Sequence, residues 1–236
     1  MTIAIDESQR KALRVAGFLY LLITVTAPIG LMYVPSRIVV SGDATATADQ
    51  IRASESLIRI GIGSELFHQA IWVFLVLALY RLFKAVNEDH AKLLVILGAL
   101  VPVPIMFLNV LNEIAALILV SGADFLSSFE KGQLDALASL FLRLHYLGFN
   151  VAAIFWGLWL FPFGILVIRS SFIPPFLGIL LFIAGSANLT SSFTSLLLPQ
   201  YEQVVGQFAN VLALAELPIV LWFIIKGLRS PRTSER

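Results

Sequence analysis

Apolar residues run almost unbroken from Leu142 to Arg169, stop at Ser170-Ser171, and resume after Pro174-Pro175 to about Ser192. The first arm exceeds the ~20 apolar residues needed to cross a hydrocarbon core about 30 Å thick, and the second does so once its helix is run on to about Leu198. The pair therefore reads as a transmembrane hairpin turning at Arg169-Ser170-Ser171.

The same pattern predicts four further crossings. A polar tail, 1–11, precedes helix one over 12–34. The basic start resembles a signal peptide, with Ala44-Thr45-Ala46 as a small-x-small site. The apolar run is too long for that, and the site lies too far beyond it, so the helix is expected to persist. The polar stretch 35–60 holds Thr47 and Gln50 at capping-box spacing. Ile51, Ile58 and Ile62 keep helical spacing into helix two, which enters near Gly61 and ends near 83. A short link, 84–92, leads to helix three over 93–120. Pro102 and Pro104 bend it and free the carbonyls of Gly98 and Leu100. In lipid those groups need protein or water partners, so the bend should face inward. Residues 121–138 read as an interfacial helix. Helix four follows over 139–168, helix five over 172–198 and, after a link at 199–206, helix six over 207–225. The fold class is all-α: a bundle of six transmembrane helices forming one domain, 12–226, with a basic tail at 227–236.

Composition agrees. Hydrophobic residues make up 58% and charged residues 13% of the chain, and the mean hydropathy is +0.90. A soluble globule carries about a quarter charged residues and could not bury so much apolar surface. Basic residues lie scattered at helix ends, so the net charge of +1 gives no nucleic-acid surface. The absence of cysteine excludes disulfides, thiolate metal sites and cysteine nucleophiles.

Charge also orients the chain. Arg10, Lys11, Arg14, Arg81, Lys84, Lys92, Arg169, Lys226, Arg229, Arg232 and Arg236 fall on one side of the six crossings. Arg37, Arg52, Arg59 and Lys131 fall on the other. Eleven against four predicts both termini in the cytoplasm, and in a bacterium an inner-membrane location.

Ionisable groups inside spans are costly and mark candidate sites. Helix two carries Glu65, His68 and Gln69 on one face; helix three carries Asn109, Asn112 and Glu113 at the same spacing. Helix four adds Arg143, His145 and Asn150, helix five Asn188 with Ser191, Ser192 and Ser195, and helix six Glu216. With both termini inside, nearly all lie in the outer half of the membrane. Their shared depth predicts a polar pocket binding a small ligand through Glu113, Glu216, His145, His68, Asn112, Asn188 and Arg143. The bland alternative is a hydrogen-bonded network that only holds helices together. Three carboxylates face one certain cation, Arg143, so the surplus is expected to be either protonated or matched by histidine, a metal or a ligand cation.

One version is a metal site. Glu65-x-x-His68 places a carboxylate and an imidazole on one face, and Glu113 with His145 would complete four ligands for zinc or iron. Such an ion could activate water for hydrolysis. Arg143 and His145, two residues apart, point to different sides of their helix. No phosphate-cradling loop, dinucleotide fingerprint or nucleophile elbow is present. Gly157, Gly164, Gly178 and Gly185 read as packing points.

The segment Phe155 to Phe193 is similar to the hallmark of the bacterial membrane family called domain of unknown function 4386. The matching features are Phe155-Trp156-Gly157-Leu158, Gly164, Arg169-Ser170, Pro174 and the run from Leu177 to Gly185. Leu144-His145 and Leu79-Tyr80-Arg81-Leu82 add to the resemblance. Ala187-Asn188 stands where a glycine and an aromatic are expected. The resemblance implies a six-helix inner-membrane protein and no particular activity.

Three functions remain open at this level. The first is binding or carrying a small amphipathic or cationic ligand, or protons. The second is a metal-dependent intramembrane hydrolase, and the third an accessory subunit. The expected partners are the lipid bilayer and a small-molecule or lipid ligand, with a homo-oligomer also open.

Overall fold

The computed structural model describes residues 7–229. The predicted polar tails fall mostly outside them, at 1–6 and 230–236, and Arg232 and Arg236 of the charge count lie there too. The protein is all-α, with no strand among the described residues. Among the described residues, six helical segments are long and apolar enough to cross a membrane: Glu7–Pro28, Glu55–Phe83, Glu88–Val120, Lys131–Arg169, Pro175–Leu197 and Pro199–Lys226.

The elements are α1 (Glu7–Pro28), α2 (Val34–Ile38), α3 (Ala44–Ala53), α4 (Glu55–Phe83), α5 (Glu88–Val95), α6 (Pro102–Val120), α7 (Lys131–Arg169), α8 (Pro175–Leu197), α9 (Glu202–Ala213) and α10 (Leu217–Arg229). Wide π-helical turns at Ile29–Tyr33 and Ile96–Leu100 join α1 to α2 and α5 to α6. Each sits beside prolines, which remove a backbone donor from the ladder.

Local chemistry sets several boundaries differently from the sequence expectation. The capping box at Thr47 does not form. Asp43 caps α3 instead, its Oδ1 accepting from the Ala46 N–H at 2.8 Å. Thr47 lies one turn inside, and its hydroxyl accepts from the Val40 N–H at 3.0 Å. The Asn87 side chain accepts from the His90 N–H at 2.9 Å and starts α5 at Glu88, earlier than expected. The expected interfacial helix is replaced by turns over 121–130 with a short 3-10 turn at Asp124–Leu126, because Lys131 onward already belongs to α7. The expected link at 199–206 shrinks to the 3-10 turn Pro199–Tyr201.

Two compact units share these helices. The first comprises 7–23, 71–103 and 150 onward. Its core is strongly aromatic: Tyr20, Phe83, Trp159, Phe163 and Phe223 are almost wholly buried. Trp159 and Phe163 stand 5.3 Å apart by ring centroid, and Tyr20 and Phe223 5.5 Å. Glycines let α7 and α8 touch backbone to backbone. A Cβ on Gly164 would lie 2.8 Å from the Gly178 carbonyl, and one on Gly185 would lie 2.9 Å from that of Gly157. Of the two carbonyls expected to need a partner at the proline bend of the third crossing, that of Gly98 accepts from Trp72 Nε1–H at 2.7 Å.

The second unit comprises 24–70 and 104–149. Its apolar core joins Val34, Ile38, Ile51 and Ile58 to Ala116, Leu117 and Ala138. Asp135, 1% exposed, accepts from Arg52 at 2.5 Å and from Lys131 at 2.8 Å. Arg52 also pairs with Asp49 at 2.7 Å. Hydrogen bonding to Asp135 holds the Arg52 guanidinium above its ordinary range. This ion network ties α3 to the first turn of α7.

Candidate functional site

The second unit brings Glu65 of α4, Glu113 of α6 and His145 of α7 together. One ligating atom from each lies within 4.8 Å of the others. The Nε2 of His145 stands 3.3 Å from Oε1 of Glu65. Glu65 is 3% and Glu113 4% exposed, so both carboxylates are removed from solvent. Neither oxygen of Glu65, nor Oε2 of Glu113, has a hydrogen-bond donor in bonding geometry among the described residues. Buried carboxylates are normally satisfied by donors or matched by a cation. Of the three converging residues, His145 supplies the nitrogen atom and the two glutamates supply oxygens.

Neighbouring residues fix that geometry. His145 Nδ1 faces the Asn109 carbonyl at 3.3 Å. A carbonyl can only accept, so Nδ1 carries a proton and Nε2 is the atom presented to the carboxylates. The Asn109 side chain returns the contact, its Nδ2 donating to the His145 carbonyl at 2.8 Å. Gly148 makes room for this clasp, because a Cβ there would overlap the Asn109 carboxamide. Gly30 does the same for Glu65. A Cβ at that position would lie 2.7 Å from Glu65 Cγ. Gly30 belongs to the wide turn Ile29–Tyr33, which explains why the backbone passes so near the site.

The other predicted site residues are placed as follows. His68, three residues after Glu65 and a sixth of a turn round α4, directs Nδ1 to Thr26 Oγ1 at 3.5 Å. It is not in the group whose ligating atoms converge. Asn112 donates through Nδ2 to Asn109 Oδ1 at 3.0 Å, supporting the clasp. The exposed Arg143 sets its guanidinium 5.2 Å from the Tyr146 ring centre, on a different side of α7 from His145. Asn188 and Glu216 belong to the first unit, both half-buried. In that unit Ser195 Oγ donates to Glu202 Oε1 at 2.7 Å. Asn109, Gly30 and Gly148 carry site geometry that the candidate ligand set omitted. Asn109 was recognisable as a polar residue one turn before Glu113, but the two glycines had no distinguishing signal.

The arrangement can hold a positive species between two carboxylates and one imidazole nitrogen, and it can pass a proton among them. No curated protein and no solved structure matches the chain. A family model described as domain of unknown function, DUF4386, matches residues 15–227. The six membrane-crossing helices and that match over nearly the whole chain show that the protein belongs to the DUF4386 family.

Proposed function

We propose that this multi-pass membrane protein binds a small cation within the membrane at Glu65, Glu113 and His145. The observation that carries the reading is the meeting of two buried carboxylates, from separate helices and short of donors, on one imidazole. A network serving only as glue between helices would use its oxygens in hydrogen bonds. These oxygens are arranged instead for a charge. The cation is a proton, a metal ion or the ammonium group of an amphipathic molecule; the shared chemistry is positive charge matched to carboxylate.

The excess of Lys and Arg on one side of the crossings supports cytoplasmic termini in the inner membrane, with the site nearer the outer face. One membrane domain over 12–226 accommodates all six crossings.

The test is thermal unfolding of the detergent-purified full chain against sodium, potassium, tetramethylammonium, magnesium and zinc chlorides, and against pH. At least one cation, or protons, is expected to raise the midpoint of the wild type and to leave the Glu65→Gln/Glu113→Gln variant unmoved. Equal responses of the two proteins across the whole panel would overturn the reading.

A further inference from the structure

Resting on that cation reading, we infer that the occupant of the cluster is a divalent transition-metal ion, with zinc the natural first probe. Three properties of the site carry this.

The first is spacing. An ion held tetrahedrally at about 2.0–2.2 Å from each ligand sets neighbouring ligand atoms roughly 3.3–3.6 Å apart. His145 Nε2 and Glu65 Oε1 are already separated by 3.3 Å. The full set spans no more than 4.8 Å, so small side-chain adjustments close it around an ion.

The second is ligand type. Two carboxylates and a neutral imidazole carry charge −2, which a divalent ion cancels, whereas a monovalent ion leaves a net charge in a medium that penalises it. The imidazole nitrogen selects zinc or iron over magnesium and calcium, which favour all-oxygen shells.

The third is independent of the cluster's composition. Glu113 Oε2 and both Glu65 oxygens are buried without donors among the described residues, which is the state of a ligand atom whose partner is an ion. His145 is also held as metal-bound histidines are, with Nδ1–H turned to a backbone carbonyl and Nε2 left to coordinate. Three protein ligands leave a fourth position for water or an exogenous group. The expected four-ligand set is therefore reduced to three, with His68 held at Thr26.

The experiment loads the full chain in lipid nanodiscs with zinc chloride, removes free ion, and measures zinc per chain by elemental analysis. One zinc per wild-type chain is expected, with binding at least about tenfold weaker in Glu113→Gln and in His145→Gln. X-ray absorption on the loaded wild type needs no variant. It is expected to show a nitrogen and oxygen shell with imidazole scattering at about 2.0–2.2 Å. Absence of stoichiometric zinc, equal retention by both folded variants, or an absorption spectrum without imidazole overturns the metal assignment. If zinc fails while a proton or monovalent cation still stabilises the protein through Glu65 and Glu113, only the metal assignment falls. If no cation distinguishes the double variant, the broader reading falls with it.

Discussion

His145 Nε2 on α7 lies 3.3 Å from Glu65 Oε1 on α4, and Glu113 of α6 completes a group buried from solvent. The pair joins residues 80 positions apart in the chain, and the carboxylates outnumber the imidazole. Without a bound cation the cluster is therefore under electrostatic tension. Stability and binding should respond to it in opposite directions.

Glu113→Gln is expected to stabilise the metal-free protein by on the order of 1 kcal/mol, because it removes a buried charge short of hydrogen-bond donors. The same change should abolish cation-dependent stabilisation. Unfolding midpoints in chelator-treated detergent, with and without added cation, measure both. A substantial loss of stability in the metal-free state would mean that Glu113 is already well matched.

Gly148→Ala should be destabilising by about 1–3 kcal/mol, since its Cβ collides with Asn109 and forces α6 and α7 to adjust. Gly63→Ala is the matched control: nothing lies within 4 Å of its added Cβ, and a helical alanine is no worse than glycine. Comparison of the two midpoints checks the close approach behind the His145 clasp. Equal midpoints would remove it.

Trp72→Phe keeps most of the aromatic volume and deletes the donor to the Gly98 carbonyl. The bend at Ile96–Leu100 then leaves an acceptor unsatisfied, and a loss of about 1 kcal/mol is expected. Unfolding of the variant in mixed micelles measures it, and an unchanged midpoint would show that water replaces the indole.

The crossings were legible because length and apolarity suffice to identify a span. The proline-bent third helix was legible for the same reason, and even its need for an inward partner could be argued from the missing donors of Pro102 and Pro104. The boundaries were less so. Asp43 and Asn87 as caps, and the continuation of α7 back to Lys131, depend on local hydrogen bonds that compete closely at the sequence level. Within the site, spacing placed Glu65 and His68 on one face but could not say that His68 turns to Thr26 while His145 turns to Glu65. That choice is made by packing, through Asn109 and the room left by Gly30 and Gly148.

Orientation has a clean test because the chain contains no cysteine. Ser128→Cys, in the exposed turn before α7, and Ala85→Cys, in the exposed link after α4, each introduce a single thiol. In intact cells a membrane-impermeant maleimide should label the first and spare the second, as the Lys and Arg asymmetry requires. The reverse pattern would invert the topology and place the cluster nearer the cytoplasm.

The most direct measurement of the central claim is a double-mutant cycle on Glu65→Gln and His145→Gln, read as unfolding free energies in mixed micelles. Side chains meeting in one buried site should couple by about 1–3 kcal/mol, either sign being diagnostic of contact. Effects that add within about 0.5 kcal/mol would contradict the account, because residues that do not share a site behave independently.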